Sequence, residues 1–156
     1  MDLEGKKAPA FTLDGSDGRR HAIKDYAGQT VILYFYPRDN TPGCTKEACG
    51  FRDANRVLTK MGVVVLGVSR DSIASHERFV TQHKLPFTLL SDPDTAMMQK
   101  YGAWGEKTMY GKKVQGCIRS TVVIGPEGRV LKHWKTVRKA AEHPEQVLAF
   151  LESQTA

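Results

Sequence analysis

Cys44 closes the run Pro37-Arg38-Asp39-Asn40-Thr41-Pro42-Gly43-Cys44 and begins a stretch with helical spacing. A sulfur in a first helical turn meets unpaired N–H groups and the positive end of the helix dipole. Both stabilise an anion, so a thiol there is expected to ionise more readily than a free cysteine of pKa ~8.5. The chemistry this implies is nucleophilic attack by a thiolate. Gly43 adds no bulk and admits a small bound species, and Thr41 supplies a hydroxyl three residues before the sulfur. Together they suit a small, electrophilic, oxygen-bearing substrate. The competing reading is a buried, unreactive cysteine, since free cysteines often serve as small hydrophobes. A strand-to-helix junction framed by Thr, Pro and Gly favours reactivity.

Cys49 follows five residues later. On one continuous helix that spacing means ~7.5 Å of rise and ~140° of rotation, which leaves the Cα atoms roughly 8–9 Å apart. A disulfide needs them within about 7 Å, so a Cys44–Cys49 bond requires the first helical turns to unwind around Asn40 to Phe51. Metal binding is the other use of two nearby cysteines. Zinc sites favour shorter gaps and need two further ligands, whereas His21, His76, His83, His133 and His143 are scattered. No metal and no cofactor is expected. A thiolate also calls for a cation that keeps its charge, which arginine does better than lysine. Arg119, just before an apolar run from Ser120-Thr121, is one of ten arginines that could serve.

The elements that must position these residues follow from hydrophobic period and turn chemistry. Phe11 to Leu13 and Arg19 to Ile23 flank Gly15-Ser16-Asp17-Gly18 and predict a hairpin. Val31 to Tyr36 is a continuous β-branched and aromatic run, as in a strand buried on both faces. Pro37 ends it, and Thr41-Pro42 opens a helix whose apolar pattern runs through Phe51, Val57 and Leu58 to a stop at Gly62. Val63 to Val68 is a second strand. A helix from Asp71 or Ser72 to Lys84, a strand over Phe87 to Leu90 and a short helix over Thr95 to Tyr101 follow. Gly102 to Gly116, rich in Gly and Lys, reads as an irregular loop. Thr121 to Ile124 and Arg129 to Trp134 flank Gly125-Pro126-Glu127-Gly128 as a hairpin, and an amphipathic helix after His143-Pro144 closes the chain. Alternating strands and helices predict an α/β layered domain with a mixed central sheet, helices on both faces and an N-terminal hairpin: the thioredoxin-like arrangement.

A length of 156 residues fits a single domain over residues 1–156, and 40% hydrophobic with 26% charged residues excludes collagen-like, low-complexity and largely disordered classes. No apolar run reaches membrane-spanning length and the first residues lack a secretory pattern, so a cytoplasmic location without membrane attachment is expected. Three cysteines, Cys44, Cys49 and Cys117, are too few to staple such a domain and are expected to rest as thiols. The net charge of +6 is local: Lys107 to Lys139 holds nine Lys or Arg against Glu127 alone. A solvated basic face is favoured over nucleic-acid binding, because aromatic–basic interleaving and helix-turn-helix patterning are lacking.

Pro37 to Cys44 matches the Pro-x-x-x-Thr-x-x-Cys signature of peroxiredoxins, and CTKEACGFRD from Cys44 resembles their bacterioferritin comigratory protein (PrxQ) branch. The resemblance continues through Leu66 to Ser69, LPFTLLSDPD from Leu85, YGAWGEKTMYG from Tyr101, and Arg119-Ser120-Thr121. It implies a thioredoxin-like fold and a thiol peroxidase acting on hydrogen peroxide and organic hydroperoxides without metal or haem. Cys44 would be the peroxidatic cysteine and Cys49 the resolving one. Thr41 would hydrogen-bond the sulfur and the peroxide, and Arg119 would hold the thiolate and polarise the O–O bond. Pro37 and Pro42 would shape the pocket, and Glu47 would orient Arg119.

The implied cycle runs from Cys44 sulfenic acid to an intramolecular disulfide with Cys49, reduced by thioredoxin or a glutaredoxin-like dithiol, with overoxidation to sulfinic acid as the side path. The family resemblance favours a monomer. Cys117 stands where relatives usually carry an aliphatic residue, and is expected to be a buried, inert thiol, with a second resolving role as the alternative. Rival functions are a non-enzymatic redox sensor or chaperone with a disulfide switch, and a thiol–disulfide oxidoreductase; the latter normally uses a Cys-x-x-Cys pair that this chain lacks.

Overall fold

A computed structural model describes residues 2–154. Nine strands and four helices follow one another as β1 (Thr12–Gly15), β2 (Arg20–Ala22), β3 (Thr30–Phe35), α1 (Pro42–Lys60), β4 (Val63–Ser69), α2 (Ile73–His83), β5 (Thr88–Ser91), α3 (Ala96–Lys100), β6 (Trp104–Met109), β7 (Lys112–Cys117), β8 (Ser120–Ile124), β9 (Val130–Trp134) and α4 (His143–Gln154). Seven strands form one sheet in the order β2-β1-β5-β4-β3-β8-β9. The pairs β3–β4 and β4–β5 are parallel, joined through α1 and α2, while β8, β9 and the N-terminal hairpin pair antiparallel. This is the mixed α/β layering expected from the sequence.

The central strand shows why the layers form. Successive side chains of a strand point to opposite faces, and in β3 both faces are covered. Val31, Leu33 and Phe35 pack with Met97, Met98 and Tyr101 around α3, whereas Ile32 and Tyr34 pack with Phe51 of α1, Phe79 of α2 and Val147 and Leu151 of α4. Cys44 belongs to the second layer and Cys117 to the first. Helix α1 stops where the sequence predicts: Gly62 adopts φ +76°, a left-handed conformation that glycine reaches without strain.

The segment 102–116 departs from expectation. It is not an irregular loop but the two-stranded hairpin β6–β7, paired from Trp104↔Cys117 to Met109↔Lys112 around a Tyr110-Gly111 turn. Both turn residues have positive φ, 52° and 78°, as a tight two-residue hairpin requires. Half of its strand residues are exposed, and the strands carry Lys, Glu, Thr and Gln, so no apolar alternation marks them, and Tyr is a poor advertisement for a left-handed position. Elsewhere strand and helix ends shift by one or two residues. A 3-10 turn, Ile23–Tyr26, follows β2.

Candidate active site

The sheet register assembles the site. In the β3–β8 pair Phe35 lies opposite Ser120, so Arg119, just ahead of β8, comes beside the end of β3, from which the chain runs through residues 36–41 into α1. Arg119 Nη2 donates to Cys44 Sγ at 3.2 Å, and Nη1 donates to Glu47 Oε1 at 2.7 Å. Cys44 is buried and occupies the first turn of α1, with Pro42 at its first position. A Cβ placed on Gly43 would lie 3.3 Å from Arg119 Nη2. The room that glycine leaves is therefore used by the guanidinium. Arg119's carbonyl accepts from Val137 N at 2.7 Å, which fixes its backbone.

Thr41 is the N-cap residue of α1, as expected, but its hydroxyl does not cap. It donates instead to Arg38 O at 2.9 Å. The side chain thus leaves the helix N–H groups to the anionic end of the site, and its own oxygen keeps lone pairs that can only accept. Pro37 is half-buried where β3 ends, and Pro42 is exposed.

Glu47 is fully buried, and burial pushes its carboxyl up to about 7 against the opposing pull of Arg119. For Arg119 burial works against the charge, but Glu47 and the Cys44 sulfur outweigh it and its pKa rises. Glu47 Oε2 and Tyr34 Oη, both interior, have no hydrogen-bond partner among the described residues.

Cys49 is not with Cys44. All three cysteines are free thiols, and α1 runs unbroken through both positions, so helix geometry keeps their Cα atoms roughly 8–9 Å apart. The partly buried Cys49 turns to α2, where its Sγ lies 3.9 Å from His83 Nδ1. Cys117 is buried, and desolvation pushes its thiol up to about 12.

Sequence reasoning missed the clasp that holds the loop ahead of Cys44. Asp39 accepts from Tyr36 Oη at 2.6 Å and Ser75 Oγ at 2.8 Å, pairs with His76 Nδ1 at 2.7 Å, and donates its backbone N–H to Asp71 at 2.9 Å. His76 Nε2 reaches Leu90 O at 2.9 Å. Burial opposes ionisation of Asp39, yet the hydrogen bonds led by His76 hold its carboxyl below the usual range. Ligand atoms of Asp39, Asp71 and His76 come within 4.8 Å of one another, and all are engaged in these hydrogen bonds. Asp39 and His76 lie 37 residues apart, so no local spacing announces them.

Comparison with known proteins agrees with this architecture. The AhpC/TSA family profile matches residues 4–133. A putative peroxiredoxin bcp of Coxiella burnetii is 50% identical over 139 residues, covering 88% of this chain and 92% of that protein. Peroxiredoxin Bcp of Bacillus subtilis is 40% identical over 156 residues and covers 99% of each. Among solved structures, the Xanthomonas campestris bacterioferritin comigratory protein, described for its alkyl peroxide reduction activity, superposes with a TM-score of 0.87. It is 39% identical and covers 94% of this chain and 92% of that one. With both the profile and relatives of full length in agreement, the chain belongs to the AhpC/TSA family, in its bacterioferritin comigratory peroxiredoxin branch.

Proposed function

We propose that this peroxiredoxin reduces hydrogen peroxide and organic hydroperoxides with Cys44 as the attacking sulfur and Cys49 as the sulfur that resolves the product. The observation that carries the assignment is the 3.2 Å contact from Arg119 Nη2 to Cys44 Sγ in the first turn of α1. A permanent cation and a helix N-terminus then bear on the one sulfur that is to attack. The thiolate attacks the distal peroxide oxygen. The O–O bond breaks, the peroxide's proton leaves with the alcohol or water, and Cys44 is left as a sulfenate that takes back from solvent the proton its thiol had released, giving the sulfenic acid. Thr41 gives its proton to Arg38 O, which leaves its oxygen as an acceptor for the peroxide O–H in this reading, with Arg119 bearing on the charge that develops along the O–O bond.

Cys49 then displaces the sulfenic oxygen as water and forms the disulfide, which requires α1 to unwind at its start. Thioredoxin or a glutaredoxin-like dithiol restores both thiols by exchange. Each sulfur comes from the same chain, so a monomer can complete the cycle. No helix among the described residues is long and apolar enough to cross a membrane. The test is intact-mass measurement after one equivalent of peroxide, followed by peptide mapping of the new bond. Loss of two mass units with Cys44 and Cys49 linked is expected. A bond from Cys44 to Cys117, or none, overturns the assignment.

A further inference from the structure

The contact between Cys49 and His83 lies outside the peroxide site, and three observations define it. Cys49 Sγ is 3.9 Å from His83 Nδ1. The His83 ring stands edge-on to buried Phe79, with centroids 5.2 Å apart, and its carbonyl accepts from Arg52 Nη1 at 2.9 Å. Arg52 lies three residues beyond Cys49 on α1, so the end of α2 is tied to the same side of α1 that carries the thiol.

The next turn of α1 is anchored. Gly50 passes so near α4 that a Cβ there would lie 2.7 Å from Pro144 Cγ, and Phe51 is fully buried. Fraying from the N-terminus therefore has a natural limit just before Gly50. It leaves Cys49 at the first turn of the shortened helix, beside its newly unpaired N–H groups.

We propose that Cys49 stays in place during disulfide formation while Cys44 travels to it, and that His83 Nδ1 accepts the Cys49 thiol proton, making His83 a catalytic residue of the resolving step. This rests on the assignment of Cys44 and Cys49 made above. Cys49 S–H passes its proton to His83, the thiolate attacks the sulfur of the Cys44 sulfenic acid, and the S–O bond breaks. The departing hydroxide recovers the proton as water, so one thiol and one sulfenic acid give one disulfide and one water with no further reactant. A separation of 3.9 Å is loose for proton transfer, and such contacts commonly tighten only in the reacting complex. The charged or titratable groups that the structure records as acting on Cys49 are His83 from α2 and Arg52 on α1, whose other partner is Asp53. From α4, Pro144 faces the adjacent Gly50.

The experiment is stopped-flow measurement of disulfide formation after a single peroxide addition, from pH 6 to 9.5, for the parent, His83→Ala and His83→Phe. The phenylalanine keeps a ring against Phe79 and removes the nitrogens. A free thiol with a pKa of about 8.5 is only about 3% thiolate at pH 7, so loss of a proton acceptor slows the step there by up to about thirtyfold. Both variants are expected to show a slowing of that order at pH 7, to climb steeply with pH, and to converge on the parent near pH 9.5. Rates equal to the parent's at pH 7, or a deficit that persists at pH 9.5, overturn the role of His83. Peptide mapping of Cys49→Ser tests the underlying assignment separately: an intramolecular disulfide retained in that variant sinks the resolving role whatever His83 does.

Discussion

Arg119 places its two terminal nitrogens on different partners, Nη2 3.2 Å from Cys44 Sγ and Nη1 2.7 Å from Glu47 Oε1. A planar fork can hold both at once, and a lysine ammonium on its flexible stem cannot reproduce that geometry. Arg119→Lys is therefore expected to lower kcat/KM for hydrogen peroxide by roughly 10²- to 10³-fold, as for loss of one preorganised donor in a site. Competition kinetics against a second peroxidase measures this, and a loss under threefold would remove Arg119 from the reaction. Gly43→Ala, whose methyl would press on Nη2 from 3.3 Å, is expected to show a smaller loss in the same direction.

Glu47 predicts a pH dependence of stability. Its folded carboxyl titrates near 7, above the ordinary value of 4.5, chiefly because burial disfavours the charge. The folded state then binds more protons than the unfolded state between those two values. The stabilising contribution is full below about pH 4.5 and is lost as pH rises through 7, on the order of a few kcal/mol. Glu47→Gln removes this titration. Urea unfolding from pH 4.5 to 8 should show the parent losing stability relative to the variant as pH rises; a constant difference across that range would contradict the burial argument.

Much of the framework was legible because it rests on local signals. The unbroken apolar run of β3, Pro42 at the start of α1 and Gly62 at its end each specify their element within a few residues. The β6–β7 hairpin was not, since its half-exposed strands bury too little to need alternating side chains. At the site, Cys44 and its helix start could be placed from the local order of residues, with Thr41-Pro42 opening the helix just ahead of the sulfur. Arg119 was set apart from the other arginines by the family resemblance of Arg119-Ser120-Thr121 and not by residue type, because its place depends on the antiparallel pairing of Phe35 with Ser120. Asp39 and His76, and likewise Cys49 and His83, meet only across the packing of α2 against the loop and α1.

The anchoring of α1 beyond Cys49 sets where oxidation should loosen the chain. Gly50 against Pro144 and the buried Phe51 hold the helix body to α4, whereas residues 40–48 contain the turns that must open to bring Cys44 to Cys49. Hydrogen exchange on the disulfide form is expected to show lost protection over 42–49 and retained protection from about Phe51 to Leu58. Uniform loss along the whole helix would show that the Gly50–Pro144 contact is no boundary.

Cys117 offers a control for the assignment of the reactive sulfurs. It pairs across the β6–β7 hairpin with Trp104 and packs with Phe35, Tyr101 and Ala103, in the core layer on the far side of the sheet from Cys44. Desolvation raises its thiol to about 12, so thiolate is scarce at neutral pH and so is nucleophilic attack. In the reduced native protein, iodoacetamide at pH 7.5 should leave Cys117 unlabelled until denaturant is added. Cys117→Val, which keeps an apolar side chain in the same space, should retain peroxide turnover and the Cys44–Cys49 bond within about twofold, with a stability change under about 1.5 kcal/mol. Rapid native labelling of Cys117, or a disulfide yield that collapses in the valine variant, would make it a working thiol and would require the hairpin to open during turnover.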